Sequence, residues 1–177
     1  GYIGSVLTPL LLKAGHEVTI YDNLMYGGDG IINNFIDPNF TFIKGDILNV
    51  EQLHECMKGH DTVIHLAAIV GYTACRSDEL GSYRVNHQGT KNVIDGLDGS
   101  QVLIYGSTGS NYGSVDGVCT EETPLNPLSI YGKSKTLGEQ EVLKYKNSIA
   151  FRFATAFGVS PRLRLDLLVN DLTHKAV

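Results

Sequence analysis

Apolar positions along this chain follow a helical period in some stretches and form short dense runs in others, and the two kinds alternate. After Gly1-Tyr2-Ile3-Gly4, the residues Val6, Leu7, Leu10 and Leu11 recur at helical spacing, so a glycine turn opens an amphipathic helix that ends at Gly15. Pro9 lies inside that pattern, where it costs a hydrogen bond or bends the helix. Residues 17–21 read as a strand closed by Asp22-Asn23, and the Gly- and Asn-rich residues 25–39 as a loop holding about one helical turn. Residues 40–44 form the next strand, ending at Gly45-Asp46-Ile47; Asn49 then caps a helix over Val50, Leu53 and Met57. Residues 61–66 are almost uniformly apolar, as in a parallel-sheet strand covered on both faces, and Ala67-Ala68-Ile69-Val70-Gly71 leave it as a loop. Residues 77–97 are mostly helical in pattern, and residues 101–105 form a strand ending in Gly106-Ser107-Thr108. A polar loop through Pro124 and Pro127 leads to a helix carrying Tyr131, Leu137 and Leu143, followed by a strand at 148–153 and a helical pattern at 166–177.

Strands alternating with helices predict an α/β fold with a parallel sheet. Ligands of such sheets lie beyond the carboxyl ends of the strands, where Asp22, Asp46, Ala67-Ala68 and Thr108 fall. The chain enters on its glycine turn without a methionine and stops inside a helical pattern, so both ends read as cut.

Composition narrows the classes. With 177 residues the chain suffices for one domain, or one and a part, and 42 % apolar residues is ordinary for a folded domain. A net charge of −5 argues against a non-specific grip on nucleic acid or anionic membrane, and no apolar run approaches the ~20 residues of a membrane helix. Cys56, Cys75 and Cys119 form no Cys-x-x-Cys and are odd in number, so a reducing, cytoplasmic setting is predicted. The six histidines show no metal-ligand spacing, and neither Cys75 nor Cys119 has a predicted base beside it.

The candidate chemistry centres on Ser129-Ile130-Tyr131-Gly132-Lys133-Ser134-Lys135. Tyr131 and Lys135 are four residues apart and share one helix face. A free phenol titrates near ~10, and one positive charge at ~4 Å in an effective dielectric of ~20 supplies ~4 kcal/mol, enough to lower it by roughly three units. Tyr131 is thus a candidate base with Lys135 as its activator. Thr108, at a strand end, offers a hydroxyl to a substrate oxygen; the alternative is a turn residue in a Gly/Ser cluster. Gly1-x-x-Gly4 before a helix suits close approach of a pyrophosphate, though two such glycines also make a plain turn. Asp22 tips that choice, since an acid at the end of the next strand accepts from a ribose 2′-hydroxyl and repels a 2′-phosphate, favouring NAD over NADP. Asp46 reads equally as an adenine contact or a loop cap, and Asn86, by spacing alone, as a solvated helix residue.

Taken together, Gly1–Ser5, Tyr21–Leu24, Gly45–Ile47, His65–Ala68, Asn86–Thr90, Ser107-Thr108 with Tyr112-Gly113, Tyr131–Lys135 and Arg152–Gly158 resemble the extended short-chain dehydrogenase/reductases, in particular the NAD-dependent nucleotide-sugar epimerase/dehydratase branch. The resemblance implies a Rossmann-like doubly wound parallel sheet lacking its first strand over residues 1–158, and the beginning of a nucleotide-sugar-binding region over 159–177. It implies Tyr131 as base, Lys135 as its partner and ribose ligand, and Thr108 as ligand of the substrate hydroxyl. Gly1, Tyr2, Ile3 and Gly4 would meet the NAD pyrophosphate, Asp22-Asn23 the adenosine ribose, Asp46-Ile47 the adenine, and Leu66-Ala67-Ala68 the nicotinamide half. Asn86 would sit near the cofactor. Thr155 stands where an asparagine commonly touches the sugar phosphate, and Asn170, with Arg162 and Arg164, would meet a diphosphate. Val70 stands where many 4-epimerases have lysine, and Gly109-Ser110 where family dehydratases place an acid pair, which disfavours dehydration. The resemblance implies an epimerase acting on a nucleotide-linked sugar, with no metal, and a homodimer through the helices at 77–97 and 131–145. A net dehydrogenase or reductase would use the same residues, and a non-catalytic NAD-binding module is the reading from a different class.

Overall fold

The computed structural model describes all residues, Gly1–Val177, as two compact units: Gly1–Asp46 with Thr155–Val177, and Ile47–Ala154. The strands form two parallel sheets, one in each unit.

The first unit contains α1 (Gly4–Lys13), β1 (Val18–Asp22) and β2 (Phe40–Lys44), which pair in parallel from Val18 opposite Phe40 to Asp22 opposite Lys44. β1 runs one residue further than its sequence pattern, so Asp22 is its last residue. Pro9 does not end α1, which is continuous across it. The stretch expected as a loop contains an eight-residue 3₁₀ run, Asp29–Ile36. Its Phe35 ring packs edge-on against Phe40 and Phe42 of β2, an anchoring that the surrounding Gly and Asn residues obscure in sequence. At Gly45 a side chain has no room, because a Cβ would lie 2.2 Å from the Tyr21 ring, whose hydroxyl donates to the Asp46 carbonyl at 3.0 Å.

In the second unit α2 (Val50–Met57) precedes β3 (Thr62–His65), and the sheet order is β3–β4–β5, with β4 at Val102–Thr108 and β5 at Ser148–Phe153. The Asn49 cap forms as expected, accepting from Gln52 N–H. The region predicted as one helix over 77–97 is broken. Helix begins earlier than predicted, as α3 (Tyr72–Ser77); Asp78 then leaves helical geometry and caps α4 (Glu79–Tyr83) by accepting from Gly81 N–H at 2.8 Å. A π-helical turn, Arg84–Gly89, leads into α5 (Thr90–Asp95). The next long helix, α6 (Ile130–Val142), carries the Tyr-Lys pair, and α7 (Leu168–Ala176) belongs to the first unit.

Strand β4 extends three residues beyond the expected Tyr105, making Thr108 its last residue. Leu103, Tyr105 and Ser107 alternate onto its buried face, and Leu103, Tyr105, Val93, Val142, Leu53 and Met57 form the core. Each large apolar side chain buried there contributes about 1.5–3 kcal/mol. Ile149, Phe151 and Phe153 of β5 alternate onto an exposed face, so that strand is not covered on both sides.

Candidate active site

Helix α6 starts where Ser129, in extended geometry, accepts from Gly132 N–H at 3.0 Å. Tyr131 therefore sits in the first turn, half-buried, and Lys135 lies one turn on, only 2 % exposed. Gly138 lets the helix approach its neighbours: a Cβ there would lie 2.6 Å from the Tyr105 hydroxyl and 2.8 Å from the Asn86 carbonyl. The small pair Ser134 and Gly138, four apart, was the signal for this close seat.

Lys135 Nζ makes no hydrogen bond and no ion pair; it rests 3.9 Å from the centre of the Tyr105 ring. Burial pulls its pKa down from 10.5 to about 7, with the Glu139 carboxylate acting in the opposite direction. The cation assumed to be permanent in the sequence argument is thus itself titratable near neutrality. Behind it, His65 Nε2 bonds Thr90 Oγ1 at 2.9 Å and its ring lies 5.5 Å from that of Tyr105. Burial, with the Lys135 charge, pushes His65 down to about 3, so it is neutral. Burial likewise holds the Tyr105 phenol protonated, above its ordinary value.

Thr108 is 7 % exposed and accepts from Ser110 N–H at 3.1 Å; its own proton has no partner within the protein. The 3₁₀ turn that follows it, Gly109–Asn111, packs on the start of α6, where a Cβ on Gly132 would come within 2.9 Å of the Ser110 carbonyl. Beneath, Glu139 accepts from Ser107 Oγ, from Asn111 Nδ2 at 2.9 Å, and from Arg152 Nε and Nη2 at 2.9 and 2.7 Å. Arg152 also donates to the Tyr112 hydroxyl. Sequence reasoning missed this network, although Glu139 four residues after Lys135 and an arginine between Phe151 and Phe153 were visible.

Asn86 is fully buried in the π-helical turn, so its spacing-only reading as a solvated residue is overturned. Its amide pairs with both backbone groups of Ile69, at 2.8 and 2.9 Å, and donates to Ser134 Oγ at 3.1 Å. It ties the loop carrying Leu66, Ala67 and Ala68 to α6. Leu66 packs over Gly106, where a Cβ would meet its Cδ2 at 2.9 Å, and Ile47 packs on Gly89.

The first unit holds the remaining expected ligands. Gly1 has open space about it, and Gly4 begins α1 behind Tyr2 and Ile3. Asp22 Oδ1 accepts from Leu24 N–H at 2.7 Å, while Oδ2 has no partner within the protein. Asn23 donates to Asp46 Oδ2 at 3.0 Å. Asn170, expected at a substrate diphosphate, has its amide engaged inside the unit with Gly158 N–H, Tyr2 Oη and the Arg164 carbonyl. Thr155 is exposed, and Arg162 stacks on Tyr26 at 4.3 Å. A Ser5–Ser160 contact at 2.9 Å, with both hydroxyls on the Tyr2 carbonyl, had no sequence signal.

Taken by itself, each unit carries groups of the chemistry that a dinucleotide needs. Asp22 Oδ2 is left as an acceptor in the first unit, and in the second the Nζ donors of Lys135, a residue 2 % exposed, have no acceptor within the protein. No group of three or more His, Cys, Asp or Glu side chains gathers where a metal ion could sit, and no helix is long and apolar enough to cross a membrane.

The uncharacterised UDP-glucose epimerase YtcB of Bacillus subtilis (strain 168) is 32 % identical over 187 residues, covering 97 % of this chain and 58 % of that protein. A UDP-glucuronic acid 4-epimerase from Bacillus cereus, solved with UDP-glucuronic acid and NAD, superposes with a TM-score of 0.86 at 30 % identity, over 99 % of this chain and 60 % of its own. The dTDP-glucose 4,6-dehydratase DesIV of Streptomyces venezuelae, solved with NAD, gives 0.89 at 26 % identity, over 98 % and 58 %. The chain spans about half the length of the curated relatives it matches, from 35 % to 58 %. Residues 1–161 match the model of the NAD dependent epimerase/dehydratase family, and the chain belongs to that family of extended short-chain dehydrogenase/reductases.

Proposed function

We propose that this chain binds NAD and forms the catalytic part of an epimerase acting on a nucleotide-linked sugar. The observation that carries the reading is a buried, acceptor-free Lys135 one turn after half-buried Tyr131, on a helix packed against the turn that follows Thr108. Bound NAD supplies a reversible hydride acceptor. Tyr131 Oη takes the proton of a sugar hydroxyl and returns one after the keto sugar has presented its other face. The Lys135 ammonium favours the phenolate that this requires. The Thr108 hydroxyl, already oriented by Ser110 N–H, donates to the reacting oxygen as charge develops on it. Asn86 acts through its grip on Ile69 and Ser134. In the first unit Asp22 holds the adenosine ribose, with Gly1–Gly4, Asn23 and Asp46 at the rest of the adenosine diphosphate; Thr155 and the Arg162–Asn170 stretch belong to the sugar-binding region.

Epimerisation is favoured over dehydration because Gly109 and Ser110 supply no acid after Thr108. Exposed Leu80 on α4 and Leu143 just after α6 support a homodimer through those helices. In the full chain, Tyr131→Phe should lower kcat at least about a hundredfold while leaving NAD binding within a few-fold. Equal losses of NAD affinity and turnover would instead make Tyr131 a binding residue. A Tyr131→Phe protein that kept its turnover would remove the mechanism.

A further inference from the structure

The Lys135 ammonium rests against the face of the Tyr105 ring. Lys135 is 2 % exposed, its Nζ has no hydrogen-bond acceptor, and it stands 3.9 Å from the ring centroid. Tyr105 is itself fully buried, and its hydroxyl donates to the Lys135 carbonyl at 3.4 Å, so ring and helix are fixed to each other. A desolvated ammonium over an aromatic face is attracted by the ring's negative quadrupole, an interaction stronger in the interior than at the surface.

We infer that Tyr105 is a positioning residue whose ring face holds the Lys135 ammonium in its charged form, one helical turn from Tyr131. The inference rests on the proposed roles of Tyr131 and Lys135 and adds to them the group that keeps the activating cation from shedding its proton on burial. One carboxylate acts in the same direction as the ring. Glu139 lies a further turn along α6 and is paired with Arg152, while His65 on β3 is neutral and buried. Cys75 on α3 is held protonated by burial, and Arg76, Glu79, Arg84 and Asp95 on the neighbouring helical segments are exposed. Burial opposes the ammonium, and the ring together with the Glu139 field works against that loss.

The test grades the ring electronically without changing its shape. In the full protein Tyr105 is replaced by Phe, then by 4-fluoro-, 3,5-difluoro- and 3,4,5-trifluorophenylalanine, and Lys135 is titrated by NMR of a ¹³C label at Cε, with a Lys135→Met spectrum to assign it. The midpoint in Tyr105→Phe should stay close to wild type, because the ring face is kept. It should then fall stepwise with fluorination, by about one unit over the series. A midpoint flat across folded members of the series would overturn the inference. The reading is independent of turnover: a midpoint that moves in a protein whose activity ignores Tyr131→Phe leaves the Tyr105 role standing and removes the proposed function.

Discussion

Two ionisable side chains, His65 and Lys135, are buried within reach of each other's field, and both are pushed toward neutrality. For His65 the folded value of about 3 lies below the ordinary 6.5, so the unfolded chain binds the proton more readily. The associated stability is present above pH 6.5 and is lost as pH falls toward 3. Its share between pH 8 and pH 5 is about 2 kcal/mol. Urea melts of wild type and His65→Gln at both pH values check this: the variant should lose about that much less on acidification. Equal losses would mean that His65 is solvated enough to protonate in place. At this scale the sequence showed the Tyr131–Lys135 spacing and Thr108 at a strand end, because these depend on position along one element. It could not show the burial of Lys135, the ring beneath it or the neutrality of His65, which arise where β3, β4 and α6 meet.

On the scale of elements, α6 is fixed to β4 and β5 through a charge with almost no water. Glu139 is 1 % exposed, and Arg152, Ser107 and Asn111 all donate to it. Removing one member of such a pair leaves its partner charged and desolvated, at a cost of about 3–5 kcal/mol. Glu139→Ala should destabilise by that amount in a denaturant melt, and Glu139→Gln by less, since an amide oxygen still accepts from Arg152. A loss below about 1 kcal/mol for Glu139→Ala would mean the ion pair is solvated and does not hold the helix. Periodicity revealed the existence of α1, α2, α6 and all five strands, with residues 40–44 and 148–153 bounded as predicted. It failed at 71–97 because Asp78 interrupts the helical pattern without interrupting its apolar spacing. The π turn that lets Asn86 point inward is also invisible to a 3.6-residue period.

For the molecule as a whole, the parallel α/β class was legible from the alternation of runs. The register of each strand pair was not, because it depends on partners distant in sequence, which local pattern does not specify. The chain belongs to the NAD dependent epimerase/dehydratase family, and the solved structures it resembles include both an epimerase and a dehydratase. The proposal of proton transfer at a sugar hydroxyl without loss of water rests on Gly109-Ser110 after Thr108 and on the Tyr131–Lys135 pair. The most direct measurement incubates the full protein and NAD with a panel of UDP-, GDP- and dTDP-sugars, following sugar identity by chromatography and NADH by near-UV absorbance in the same tube. The account predicts a new isomer of one sugar with no net NADH. NADH accumulating in proportion to product, or a dehydrated sugar in place of the isomer, would contradict it.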